Sequence, residues 1–166
     1  SRGENLDNTQ SFDPESIDRF DYLVYCLKKE GIYVYLDLLT YRRFKSGDGV
    51  DAVDQLIDAA RPYTTFSRKL IALQKKYNHE LWTHINPYTK LAYKDDPVFV
   101  LSEITNENDL WSQNVATEPY RTELENLYRD WAKRNNIKVG QEKVSFDKKD
   151  INIQKFFIEV TSNYYN

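Results

Sequence analysis

Two short segments constrain this chain more than anything else in it. Residues 32–38 read Ile-Tyr-Val-Tyr-Leu-Asp-Leu, and residues 98–104 read Val-Phe-Val-Leu-Ser-Glu-Ile. Both are β-branched, aromatic and nearly continuously apolar. That pattern marks a strand buried on both faces, as in a parallel sheet covered by helices. Parallel strands need a long crossover connection, normally right-handed. A helical pattern lies between these two. The chain is therefore expected to be α/β, built on a βαβ unit. Two parallel strands can neither close a barrel nor shield a sheet by themselves.

The helices have clear punctuation. Asp13-Pro14-Glu15 supplies an N-cap acid, proline at the first helical position and an acid in the first turn. Ile17, Phe20, Val24 and Leu27 follow at helical spacing, and Gly31 fits the position after the helix end. A second helix is expected from about Ser67 to His84, with Leu70, Gln74, Tyr77 and Leu81 on one stripe and Asn86-Pro87 as its stop. A third spans about Pro119 to Arg134. Asp150 can cap a fourth, carrying Ile153, Phe156, Phe157 and Val160. Residues 1–12 read as loop. The stretch from Leu39 to about Thr65 is far longer than an ordinary βα loop, and loops of that length are usually functional or mobile.

Composition removes several classes. The net charge of −3 gives no bulk electrostatic case for nucleic acid. No run approaches the length of a membrane-spanning helix. Cys26 is the one cysteine, which rules out an internal disulfide and a thiolate zinc site. His79 and His84 lie five apart and match no zinc pattern. The 166 residues fall short of the roughly 200 or more that a complete (β/α)8 barrel needs. The chain also contains no Met and starts with Ser, which reads as a start after a cut, in a processed chain, an expressed piece or a fragment.

In parallel α/β folds, chemistry gathers where strands end. The second strand runs into Asn106-Glu107. A carboxyl there can serve as a general acid if its surroundings lift its pKa toward neutrality. An adjacent Asn can hold a substrate hydroxyl. The competing reading is a solvated loop. Asp37, near the end of the first strand, suits substrate contact or a structural hydrogen bond equally well. Glu103 is either a supporting carboxylate inside a barrel or a strand residue paired to a neighbouring cation.

From Phe12 to Leu110 the chain resembles glycoside hydrolases of the cellulase-like (β/α)8 superfamily, clan A. The resemblance is carried by Phe12-Asp13-Pro14, the strand from Gly31 to Leu38, and Phe44-Lys45-Ser46-Gly47-Asp48-Gly49-Val50. Leu73-Gln74-Lys75-Lys76-Tyr77, Asn86-Pro87-Tyr88-Thr89 and Asp95-Asp96-Pro97 continue it. Ser102-Glu103-Ile104-Thr105-Asn106-Glu107-Asn108 carries it most strongly. The resemblance implies a partial (β/α)8 (TIM) barrel: about two parallel strands with four helices, residues 1–166 forming one central segment of a catalytic domain. It implies retaining hydrolysis of β-glycosidic bonds in oligo- or polysaccharides. Glu107 would be the acid/base, and Asn106 would hold the sugar 2-hydroxyl.

The nucleophile of that clan comes from a seventh strand, expected outside this chain. The isolated segment is therefore expected to be inactive, with the rest of the barrel as its missing partner. No metal and no organic cofactor are implied; a secreted or periplasmic location is. Aromatic faces stack on sugar rings, so Tyr41 and Arg42, in Tyr41-Arg42-Arg43-Phe44, are candidates to line a subsite. A solvated loop with a buried anchor is the alternative. Trp111, just after the motif, is a candidate sugar platform or a core residue. The competing function is a non-catalytic α/β carbohydrate- or protein-binding module. An unrelated small α/β fold would show a closed core without exposed strand edges.

Overall fold

The computed structural model describes residues 6–39 and 41–166. Residues 1–5 of the loop expected at the N-terminus lie outside that set. The fold is α/β, with four helices and a two-stranded parallel sheet. In chain order the elements are α1 (Pro14–Lys29), β1 (Val34–Asp37), α2 (Arg68–Thr83), β2 (Phe99–Glu103), α3 (Tyr120–Arg134) and α4 (Ile151–Tyr165).

Local chemistry explains most of these boundaries. Asp13 caps α1 by accepting from the Ser16 N–H at 2.8 Å, with Pro14 in the first turn. Gly31, at φ +71°, ends it by adopting the left-handed conformation that glycine takes without a Cβ clash. Asp150 caps α4 through the Asn152 N–H at 2.7 Å. The strands pair in parallel, with Val34 opposite Phe99, Tyr35 opposite Leu101, Leu36 opposite Ser102 and Asp37 opposite Glu103. One irregularity falls between Val34 and Tyr35.

The strands are not buried on both faces as their composition predicts. Leu36 and Phe99 pack against Leu38, Leu81 and Tyr93, along with Ile17 and Phe20 of α1. Tyr35 and Leu101 instead stay 54% and 63% exposed. The helices after β2 do not cover that face. Buried residues of α3 and α4 join a second cluster with Phe44, Val50, Tyr63 and Phe66. The 41–65 stretch of the long connection is thus a packed part of the fold. It is wound into four short 3-10 turns, Ser46–Asp48, Val53–Gln55, Asp58–Ala60 and Tyr63–Thr65. Tyr120 ties α3 to it by donating to the Asp51 carbonyl at 2.8 Å.

A buried carboxylate locks α1 to the segment that leads into β2. Asp21 is 1% exposed and accepts from the Tyr93 hydroxyl at 2.6 Å, while His84 Nε2 lies 2.8 Å from its other oxygen. The Asn86 side chain donates to the Asp21 carbonyl at 2.9 Å. Burial, then the hydrogen bond to Asp21, pushes the Tyr93 phenol far above its ordinary pKa. Tyr93→Phe removes this donor and leaves a buried carboxylate oxygen short of a partner. The substitution is expected to cost about 1–3 kcal/mol, measured by urea unfolding, with the fold otherwise retained.

Candidate functional site

The parallel register sends both strands toward the same end of the sheet. Asp37 lies opposite Glu103 there, four residues before Glu107. The segments that follow the two strands, 41–65 and 104–118, meet at that end. The Arg61 guanidinium donates to the Asn106 carbonyl at 3.1 Å. The Asn108 carboxamide donates to the Thr64 hydroxyl at 2.8 Å. From the other side, Gln113 donates to the Glu107 carbonyl at 2.9 Å. Residues 106, 107 and 108 are thus each held by a side chain from outside the motif.

Glu107 sits at φ +47°, in the left-handed region that L residues rarely adopt. A left-handed non-glycine residue costs on the order of 1–2 kcal/mol. Such outliers gather at functional sites, where surrounding contacts hold them. The Glu107 side chain is exposed, Asn106 is half-buried and Asn108 is buried. The structure places Glu107 alone of these three on an open surface.

The remaining candidates separate. Asp37 is half-buried and accepts from the Leu39 N–H at 3.2 Å. It borders a cleft of about 260 Å3 lined mainly by apolar groups, among them Phe12, Ile17, Phe20, Leu36 and Tyr77. That cleft does not include Asn106 or Glu107. Tyr41 is 77% exposed. Arg42 is turned into the fold. It donates to the Leu73 carbonyl at 3.0 Å and to the Thr9 hydroxyl at 3.1 Å, and lies over the rings of Phe44 and Tyr77. Burial lowers its pKa, opposed by the nearby Asp48 carboxylate. Trp111 is half-buried with its ring edge-to-face on Phe157, centroids 5.4 Å apart, which joins the post-motif loop to α4.

Arg61, Thr64 and Gln113 escape sequence reasoning. Two of them lie more than 40 positions from the motif and act on a carbonyl and a side-chain amide. The Arg61-Pro62 pair in a long loop was the one visible signal.

Glu103 accepts from the Tyr35 hydroxyl at 2.5 Å across the strand pair, so its partner is a phenol. This hydrogen bond, with smaller help from desolvation and the carboxylate charge, pushes the Tyr35 phenol up to about 12. Among the described residues, no group of three or more His, Cys, Asp or Glu is arranged to hold a metal ion. Nor is any helix there long and apolar enough to cross a membrane.

Comparison with known proteins gives one informative similarity. Over 133 residues the chain is 26% identical to a protein of Oryza sativa subsp. japonica named "Putative mannan endo-1,4-beta-mannosidase 9". The match takes in 74% of this chain and 31% of the rice protein, so the chain spans about a third of that relative. No family model matches the chain, and no solved structure matches it. The similarity supports a glycoside hydrolase relationship.

Two outcomes follow from the geometry. Glu107→Gly relieves the left-handed strain but adds chain entropy to the unfolded state, so it should stabilise the chain by up to about 1 kcal/mol. Glu107→Ala should give no such gain, both read by urea unfolding. Glu103→Gln removes the carboxylate that keeps the Tyr35 phenol neutral. Phenolate should then form at lower pH, moving from about 12 toward the ordinary value. Site-resolved tyrosine NMR across an alkaline titration, with Tyr35→Phe for assignment, checks the shift.

Proposed function

We propose that this chain carries the acid/base half of a retaining glycoside hydrolase site acting on β-linked oligo- or polysaccharides. The observation that carries the reading is Glu107, left-handed and held on both sides, at the end of the second parallel strand. The similarity to the rice protein supports the substrate class, and β-1,4-linked mannan is the first polymer to test.

In this reading Glu107 protonates the departing glycosidic oxygen and later draws a proton from the attacking water. Asn106 holds the sugar 2-hydroxyl. Asp37, at the end of β1, and the exposed Tyr41 are assigned as secondary sugar contacts away from the Asn106-Glu107 turn. Arg42 and Trp111 support the walls through Thr9, Leu73 and Phe157. Retention requires a second carboxylate about 5–5.5 Å from the first. We assign that nucleophile to a further part of a (β/α)8 barrel, outside residues 1–166. That part would also cover the exposed sheet face and pair the strand edges. The chain tested alone is accordingly inactive.

An activated 2-fluoro mannoside should leave the isolated chain without a burst of released aglycone and without a covalent mass adduct. A chimera in which this chain replaces the matching segment of the rice protein should hydrolyse β-1,4-mannan. Glu107→Gln in that chimera should lower turnover on unactivated substrate by about 10²-fold or more. A chimera that folds, binds mannan and loses nothing with Glu107→Gln would point instead to a binding module.

A further inference from the structure

We propose that Arg61 is a positioning residue for Glu107, and that it acts by fixing the backbone turn rather than by touching substrate. The inference rests on the acid/base reading of Glu107 and adds the residue that sets its orientation.

The argument starts from strain. Both post-strand segments carry left-handed non-glycine residues: Ala59 at φ +58° and Ala60 at φ +48° in one, Glu107 at φ +47° in the other. Two hydrogen bonds join the segments, Arg61 to the Asn106 carbonyl and Asn108 to the Thr64 hydroxyl. Thr64 is fully buried and its hydroxyl also donates to the Ala59 carbonyl at 3.3 Å, so the hydroxyl that receives Asn108 is itself anchored.

The Arg61 side chain is a poor choice if it serves the fold alone. Its Nε is buried without a hydrogen-bond partner among the described residues, and so is the Asn108 carboxamide oxygen. Leaving such groups unpaired works against stability. The contact the guanidinium does make fixes the peptide group immediately before Glu107. That peptide plane sets φ of Glu107, and φ sets the direction of its Cα–Cβ bond. A carboxyl whose Cβ direction is fixed by a neighbour is prepositioned without any contact to its own oxygens. Gln113, on the following carbonyl, fixes the peptide group on the other side.

The test uses the full chain with isotope-labelled backbone. In the parent, Glu107 should show the strong intra-residue Hα–HN NOE of a left-handed residue. Arg61→Met should abolish it while the NOE patterns of α2 and α3 persist. Arg61→Lys keeps one donor for the Asn106 carbonyl and should restore the signature. Gln113→Ala, a change at a half-buried side chain, should weaken it. A left-handed Glu107 that survives both Arg61→Met and Gln113→Ala overturns the proposal, as does a Lys variant no better than Met.

The functional arm is titration with β-1,4-linked mannohexaose. Shifts at Asn106 and Glu107 should appear in the parent and in Arg61→Lys and be lost in Arg61→Met. Equal shifts in Arg61→Met would overturn the positioning role. Sugar shifts missing from the parent itself would count against the glycoside hydrolase reading, while the NOE comparison would still decide whether Arg61 sets the turn.

Discussion

The pairing of β1 with β2 in parallel is the constraint on which the rest of this structure depends. Parallel strands cannot be joined by a tight turn. Everything from Leu38 to Val98 must leave one end of the sheet and return to the other. Two consequences follow. The buried stripe of α2 covers one sheet face, through Leu81 against Leu38 and Tyr93. Both strands also finish at the same end, so the segments that leave them meet there. The contacts of Arg61 and Thr64 with Asn106 and Asn108 are products of that topology. Glu107 is held where it is because a distant loop must emerge beside it.

The same pairing leaves half of the sheet's apolar surface unused. Ile32, Tyr33, Tyr35, Val100 and Leu101 are all more than half exposed, although their sequence is that of covered strands. Among the described residues each strand has one sheet neighbour, so each keeps one unpaired edge. The later helices build a separate core with the 44–66 segment, where Trp131, Tyr128 and Phe156 pack ring against ring. Exposed apolar surface of this kind marks an interaction site. In the proposed barrel its occupant is more sheet.

Much of the fold was legible because capping and periodicity are local. Asp13 and Asp150 announce their helices through side-chain chemistry that needs only the next three residues. The strands were legible as strands, yet their burial was not, since burial depends on what packs above them and composition records only what they can tolerate. Of the candidate site, Asn106 and Glu107 were readable from their place after β2. The aromatic and cationic loop at 41–44 was not decidable. Arg42 between Phe44 and Tyr77 has the composition of a sugar-lining loop whether it faces solvent or, as here, the interior. The roles of Arg61 and Thr64 were not readable, because they lie in the partner atoms, a carbonyl and an amide group more than 40 positions away.

Positioning and solvent exclusion are distinct requirements for a general acid, and in the proposed reading of Glu107 this chain divides them. Positioning is internal: the strained turn is held by side chains on the Asn106 and Glu107 carbonyls, and neither needs the rest of a barrel to be in place. Exclusion of water is not internal, because the Glu107 side chain stands on the open end of an uncovered sheet. Desolvation is what commonly lifts a carboxyl toward the range where it can give up a proton near neutral pH. In that reading, whatever covers the Tyr35–Leu101 face decides more than stability. It sets how dry the mouth of the sheet becomes. It also settles whether a carboxyl already aimed is able to act as an acid.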